Sequence, residues 1–129
     1  MILVDSSIWI ELFRRESSLR PETAFDIEEA VTCLPVIQEV LQGFRDQTAF
    51  RRAREALLSL SVVESPLALD VYESAVELYR AARRQGLTVR SSTDCLIAAC
   101  ALKHDLTVLH RDRDYAALAR VCDLRERSL

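Results

Sequence analysis

The chain has 129 residues, half of them apolar and 29% charged, with 17 basic against 20 acidic side chains and a formal net charge of -3. A chain of roughly 100–150 residues is one ordinary domain with its own core, and so high an apolar fraction at so small a net charge excludes disorder. No apolar run approaches the ~20 residues of a membrane-spanning helix, and Met1 to Phe13 shows neither the basic leader nor the cleavage site of a secretory signal. The sequence therefore reads as a single cytoplasmic domain over residues 1–129.

The predicted elements run as follows. Ile2-Leu3-Val4 is a short strand ending at Asp5-Ser6-Ser7, which caps a helix carrying Ile8, Trp9, Leu12 and Phe13. Pro21-Glu22-Thr23 opens a helix through about Val31, and Thr32-Cys33-Leu34 is a second strand. Pro35 starts a helix with Val36, Ile37, Val40, Leu41 and Phe44 inside, and Asp46 caps another with Phe50, Ala53, Leu57, Leu58 and Leu60 as its buried stripe. Ser61-Val62-Val63 is a third strand. Pro66 to Gln85 is the longest helix, with Leu69, Tyr72, Val76 and Tyr79 in register and Gly86 as its stop. Ser91-Ser92-Thr93 caps an apolar helix from Cys95 to Leu102, Thr107-Val108-Leu109 is a fourth strand, Tyr115 to Val121 a short helix, and Cys122-Asp123-Leu124 a fifth strand. Strands alternating with helices predict an α/β fold of three layers, with a short parallel sheet of four to five strands between helices.

In such a sheet ligands bind beyond the carboxyl ends of the strands, which directs attention to the polar residues there. Asp5 follows the first strand and Asp112 the fourth. Asp94 heads a helix that is otherwise apolar, and Glu39 lies among Val36, Ile37, Val40 and Leu41. Taken alone, Asp5 reads first as a helix cap; the plainer alternatives are a solvated surface residue for Glu39, a cap or first-turn acid for Asp94, and a cap of the last helix for one of Asp112 and Asp114. Gathered at one point, however, buried acids are electrostatically expensive without a cation. Oxygen ligands of this kind suit Mg2+ or Mn2+, which activates water and neutralises a phosphodiester under attack.

Four segments together resemble the PIN-domain ribonucleases, in particular the VapC-type toxins of bacterial toxin-antitoxin pairs: Ile2 to Trp9, Pro35 to Gly43, Val89 to Ala99 and His110 to Tyr115. The resemblance covers essentially the whole chain. It implies that Asp5, Glu39, Asp94 and Asp112 form an acidic quartet holding one or two Mg2+ or Mn2+ ions, with Asp5 and Asp94 as direct ligands. Ser6 and Asp114 are then supporting residues around the quartet. It further implies an endoribonuclease acting on tRNA or ribosomal RNA, a homodimer, and inhibition by a cognate VapB-type antitoxin.

The remaining candidates read more plainly. His104 and His110 are surface or packing residues, and Trp9, Phe13, Tyr72 and Tyr79 belong to the core or a protein interface. Sixteen arginines stand against the single Lys103, and Arg83, Arg84 and Arg90 lead directly to Asp94, where they suit an RNA backbone or acidic partner groups. The four cysteines, Cys33, Cys95, Cys100 and Cys122, form no C-x-x-C pair and read as buried free thiols. The competing class is a receiver-like or metal-dependent phosphate-binding module. It lacks support in the residues: Glu64 follows the third strand, Lys103 lies within a helix, and Ser7 stands where an aspartyl phosphatase carries its second acid.

Overall fold

In a computed structural model describing residues 1–129, the chain threads five parallel strands in the order β3-β2-β1-β4-β5: β1 (Ile2–Val4), β2 (Ala30–Cys33), β3 (Ser61–Val63), β4 (Thr107–His110) and β5 (Arg125–Ser128). Parallel neighbours require crossovers, and the right-handed rule assigns helices to faces by the direction of travel. The chain steps outward from β1 to β2 to β3, which places α1 (Ser6–Phe13), α3 (Leu34–Leu41) and α4 (Gln47–Leu58) together on one face. It then crosses back to β4 and on to β5, placing α5 (Leu69–Arg84), α6 (Ser92–Lys103) and α7 (Asp114–Ala119) on the other. The direction of winding reverses between β1 and β4, so a crevice opens at the carboxyl ends of that adjacent pair.

Both faces being covered, the central strands are buried without alternation: Leu3, Val4, Val31, Cys33, Val108 and Leu109 are all 1% exposed or less. On α6, Cys95 and every residue from Ile97 to Ala101 are buried, because the helix is wedged between the sheet and α5. Two left-handed residues end the long helices. Gly86, at φ 72°, allows Leu87 N–H to reach Ala82 C=O (2.9 Å) and Gly86 N–H to reach Arg83 C=O (3.0 Å), so α5 stops where the sequence predicts. Asp105 at φ 55° ends α6 in the same way, with Leu106 N–H on Ala101 C=O.

The structure departs from the sequence-based expectations in several places. The helix expected to run from Pro21 to about Val31 is only α2 (Pro21–Ala24) and a 3-10 turn at Ile27–Glu29, because Ala30 and Val31 pair with Ile2 and Leu3 of β1. Sheet pairing there outweighs local helix preference. The last strand is Arg125–Ser128 rather than Cys122–Leu124, and only Leu124 of that earlier triplet is buried. Leu58 is exposed on α4, and Cys122 is only half-buried. On α5 the buried side is Val71, Ala75, Leu78 and Ala82, while Leu69, Tyr72, Val76 and Tyr79 face outward. No helix is long and apolar enough to cross a membrane.

One surface cluster ties the two halves of the second helical layer. Glu64, itself left-handed at φ 56°, accepts from His104 Nε2 (2.9 Å), Lys103 Nζ (3.0 Å) and Ala68 N–H (3.0 Å). These donors, His104 foremost, hold its carboxyl down at about 2. An acid whose folded value lies below its unfolded one stabilises the fold above the unfolded value and loses that contribution as pH falls through the folded one. Glu64→Gln therefore lowers Tm at pH 7, and the difference from the parent closes between about pH 4.5 and 2 in thermal melts. A pH-independent difference would contradict this account.

Candidate metal centre

Asp5 leaves β1 as the N-cap of α1. Its N–H continues the sheet by donating to Leu109 C=O (2.9 Å), which fixes the backbone beside β4. Its Oδ2 accepts from Ser7 N–H (3.0 Å) and Ser7 Oγ–H (2.5 Å), and Ser7 Oγ in turn accepts from Arg111 N–H (3.0 Å) on the segment after β4. Capping and membership in the acid cluster are thus simultaneous properties of one carboxylate. Glu39 reaches the same crevice from α3, which begins directly at the end of β2, and its Oε1 accepts from Ser6 Oγ–H (2.9 Å). Ser6 therefore supports Glu39, while Ser7 supports Asp5.

Asp94 enters from the first turn of α6 and is 3% exposed. Asp112 and Asp114 follow β4. Asp112 Oδ1 accepts from Asp114 N–H (2.9 Å), and its own N–H donates to His110 Nδ1 (3.1 Å). With Nδ1 accepting, His110 carries its proton on Nε2 and donates to Glu126 on β5 at 2.5 Å. His110 is 2% exposed, so it is a packing residue that ties β4 to β5 and holds the Asp112 backbone. His104 lies instead in the Glu64 cluster. Asp114 is 1% exposed, and its Oδ2 accepts from Arg90 N–H (2.9 Å) and Ser91 N–H (3.1 Å), which anchors the loop entering α6.

The five acids of the sequence reading converge as two overlapping groups. Asp5, Glu39 and Asp94 place one oxygen each within 4.8 Å of one another, as do Asp94, Asp112 and Asp114, with Asp94 shared. Arg83, Arg84 and Arg90 are exposed, and Arg90 adjoins the site through its backbone. Sequence reasoning missed Tyr115, which is fully buried and donates from its hydroxyl to Asp5 Oδ1 (2.5 Å). The only available signal was a polar aromatic one position past an acid, too weak to assign.

The electrostatics are unfavourable as they stand. Burial, then Asp112 and Asp5, raise the Asp94 carboxyl to about 9. Burial, with Asp5 and Asp112 beside it, also raises Glu39, although Ser6 works in the opposite direction. Two like charges about 4 Å apart repel by roughly 4 kcal/mol at an effective dielectric constant of ~20. Asp94 Oδ2 and Asp114 Oδ1 are buried with no hydrogen-bond partner, which a folded protein ordinarily avoids. An all-oxygen donor set with partnerless oxygens fits a hard divalent cation better than a soft metal.

The fold and this site define a PIN domain: the PIN-domain family model matches residues 2–121, and the chain belongs to that family. The chain is 39% identical to Ribonuclease VapC11 of Mycobacterium tuberculosis over 136 aligned residues, covering 99% of this chain and 98% of that one. A VapC ribonuclease of Mycobacterium bovis matches to the same degree, 39% over 99% of this chain and 98% of its own. Among solved structures, VapBC2 of Rickettsia felis superposes with a TM-score of 0.78 at 16% identity, covering 100% of this chain and 99% of that one. A toxin-antitoxin complex from Klebsiella pneumoniae gives 0.70 at 27% identity, over 90% and 91%. The receiver-like alternative is set aside by the family assignment.

If the cluster takes a divalent cation, an amide at position 94 should spare the fold the cost of keeping that buried carboxyl neutral and should abolish the response to metal. In chelator, Asp94→Asn melts at or above the parent temperature. With Mn2+ at 100 times its dissociation constant the parent gains about 2.7 kcal/mol, and Asp94→Asn loses most of that gain. Equal Mn2+ responses in differential scanning calorimetry would place the cation elsewhere.

Proposed function

We propose that this protein is the toxin of a VapBC-type toxin-antitoxin pair, a metal-dependent endoribonuclease acting in the cytoplasm on structured RNA such as tRNA or ribosomal RNA. One observation carries the reading. In a chain 39% identical end to end to VapC ribonucleases, acids from four separate segments meet at the reversal point of the sheet. In this reading Asp5 and Asp94 are the direct ligands, Glu39 and Asp112 complete a quartet for one or two Mg2+ or Mn2+ ions, and Asp114 secures the loop before α6.

A divalent cation held there lowers the pKa of a bound water and neutralises charge on the scissile phosphodiester. The chain's residues supply orientation. Ser7 and Tyr115 hold both oxygens of Asp5, and Ser6 holds one oxygen of Glu39, leaving the other free to bind. Asp5 and Asp94 are buried, whereas Glu39 and Asp112 are half-exposed and form the rim where an RNA backbone approaches. Arg83 and Arg84 end α5, and Arg90 follows on the loop that connects it to α6 and Asp94. Arginine forks there meet RNA phosphates or the acidic groups of a VapB-type antitoxin.

The exposed side of α5 fits the homodimer. Leu69 is 73% exposed, Val76 56% and Tyr72 46%, and beside them Val89 and Leu96 line a groove of about 490 Å³. An apolar stripe of this kind on a soluble chain marks an interface, and a second copy of the chain is the occupant assigned here.

Two measurements test these readings. Purified protein freed of antitoxin cuts RNA with added Mg2+ or Mn2+, stops in chelator, and loses about 100-fold or more of its rate as Asp5→Ala, in line with the barrier reduction that charge-stabilising groups supply. Undiminished cutting by Asp5→Ala would refute the assignment. Separately, Val76→Glu converts a dimer to monomer in light scattering, weakening association about 10–100-fold through an unpaired charge. A parent that is already monomeric at high concentration would remove the dimer.

A further inference from the structure

Tyr115 is the second residue of α7, 0% exposed, and among the largest fully buried side chains of the protein. A phenylalanine would fill the same space without bringing a hydroxyl into the core, where an O–H is costly unless bonded. The hydroxyl has two neighbours of opposite need, Asp5 Oδ1 at 2.5 Å and Asp94 Oδ1 at 3.4 Å. Its single proton lies in the shorter contact, so the phenol stands between the two most buried acids of the first group and bonds one of them.

The placement is over-determined from every side. The Tyr115 ring packs on that of His110 with centroids 4.9 Å apart, and His110 is locked between Glu126 and the Asp112 N–H. One residue earlier, Asp114 grips the Arg90 and Ser91 amides, so the start of α7 is pinned to the entrance of α6. Asp5 is held from the opposite side by Ser7. Tyr115 is the one hydrogen-bond partner of Asp5 Oδ1, so without the phenol only the Ser7 bonds to Oδ2 are left to orient the carboxylate.

We propose that Tyr115 is a positioning residue of the metal centre, whose hydroxyl fixes Asp5 Oδ1 in the orientation that lets Asp5 and Asp94 share one cation. The role rests on the metal-centre reading above. Partners that orient a ligating carboxylate typically govern metal affinity by about 10–100-fold, and that is the effect expected here.

The test is a calorimetric Mn2+ titration of chelator-treated full-length protein, parent against Tyr115→Phe. The variant binds about 10–100-fold more weakly while its Tm in chelator stays within a few degrees of the parent, a split that a packing role does not produce. Unchanged or tighter Mn2+ binding by Tyr115→Phe overturns the proposal and leaves the metal centre standing. Absence of Mn2+ binding by the parent overturns both. A second measurement needs no altered Tyr115. The chain has three tyrosines, and Tyr72 and Tyr79 lie on the exposed face of α5, so the Cζ resonances in a 13C-tyrosine spectrum are assigned with Tyr72→Phe and Tyr79→Phe. During a Mg2+ titration the Tyr115 Cζ signal moves in step with saturation, and a signal that stays fixed through saturation overturns the proposal.

Discussion

The governing constraint in this protein is the repulsion among carboxylates brought together where water cannot screen them. Asp5, Asp94 and Asp114 are each 3% exposed or less, and Asp94 is shared by both groups of converging oxygens. Such an arrangement has no structural benefit of its own, since isolated buried charges cost several kcal/mol each after relaxation. It persists because the backbone leaves the side chains no alternative. Asp5 is committed by its sheet bond to Leu109, Asp94 by the wedged helix behind it, and Asp114 by the two amides it accepts.

The order of strands creates that commitment. With β1 and β4 adjacent and the winding reversing between them, the carboxyl ends of two central strands and the starts of three helices face one crevice. Two of those helices begin within a residue of their strands, α1 after β1 and α3 after β2, so their first turns have little freedom to move away. The apolar wedge of α6 contributes differently: the seven residues from Cys95 to Ala101, with Leu96 alone partly exposed, leave the helix one orientation against the sheet and α5. Core packing, usually considered for its stability, here aims a charge.

The legibility of all this in the sequence was uneven, and the unevenness has physical causes. The central strands and α6 are apolar without interruption because both sides are covered, so they stand out in one dimension. Gly86 marked a helix end because the motif demands a positive φ there. Residues 25–31 misled because Asp26-Ile27-Glu28-Glu29 carries helix-forming composition, whereas pairing with β1 draws Ala30 and Val31 into the sheet. The strand Arg125–Ser128 has no apolar signature, being an edge strand whose charges discourage further pairing. The α5 stripe was read as helical correctly and placed on a face by assumption: periodicity reveals two sides of a helix, and it cannot say which side meets the core. The four acids were singled out by their places at strand ends and on apolar helices and joined into one quartet by the resemblance of their segments to a family, whereas Ser7, two residues from Asp5, read only as part of a capping cluster, and the bond from Tyr115, 110 residues away, leaves no mark on neighbouring letters.

Net charge gave the weakest guidance, and the geometry explains why. A balance of -3 counts every acid equally, although Asp5, Asp94 and Asp114 are buried with the half-exposed Glu39 and Asp112 beside them, while Arg83, Arg84 and Arg90 are exposed. A divalent cation would cancel two of those charges for each ion bound, so the charge met by a polyanion at this edge would be far less negative than a count of its acids suggests. The same chain also exposes an apolar stripe on α5, with Leu69, Tyr72 and Val76 outward. Nearly all of the fold thus serves to aim one set of carboxylates, and the α5 stripe is the part of its surface that this task does not explain.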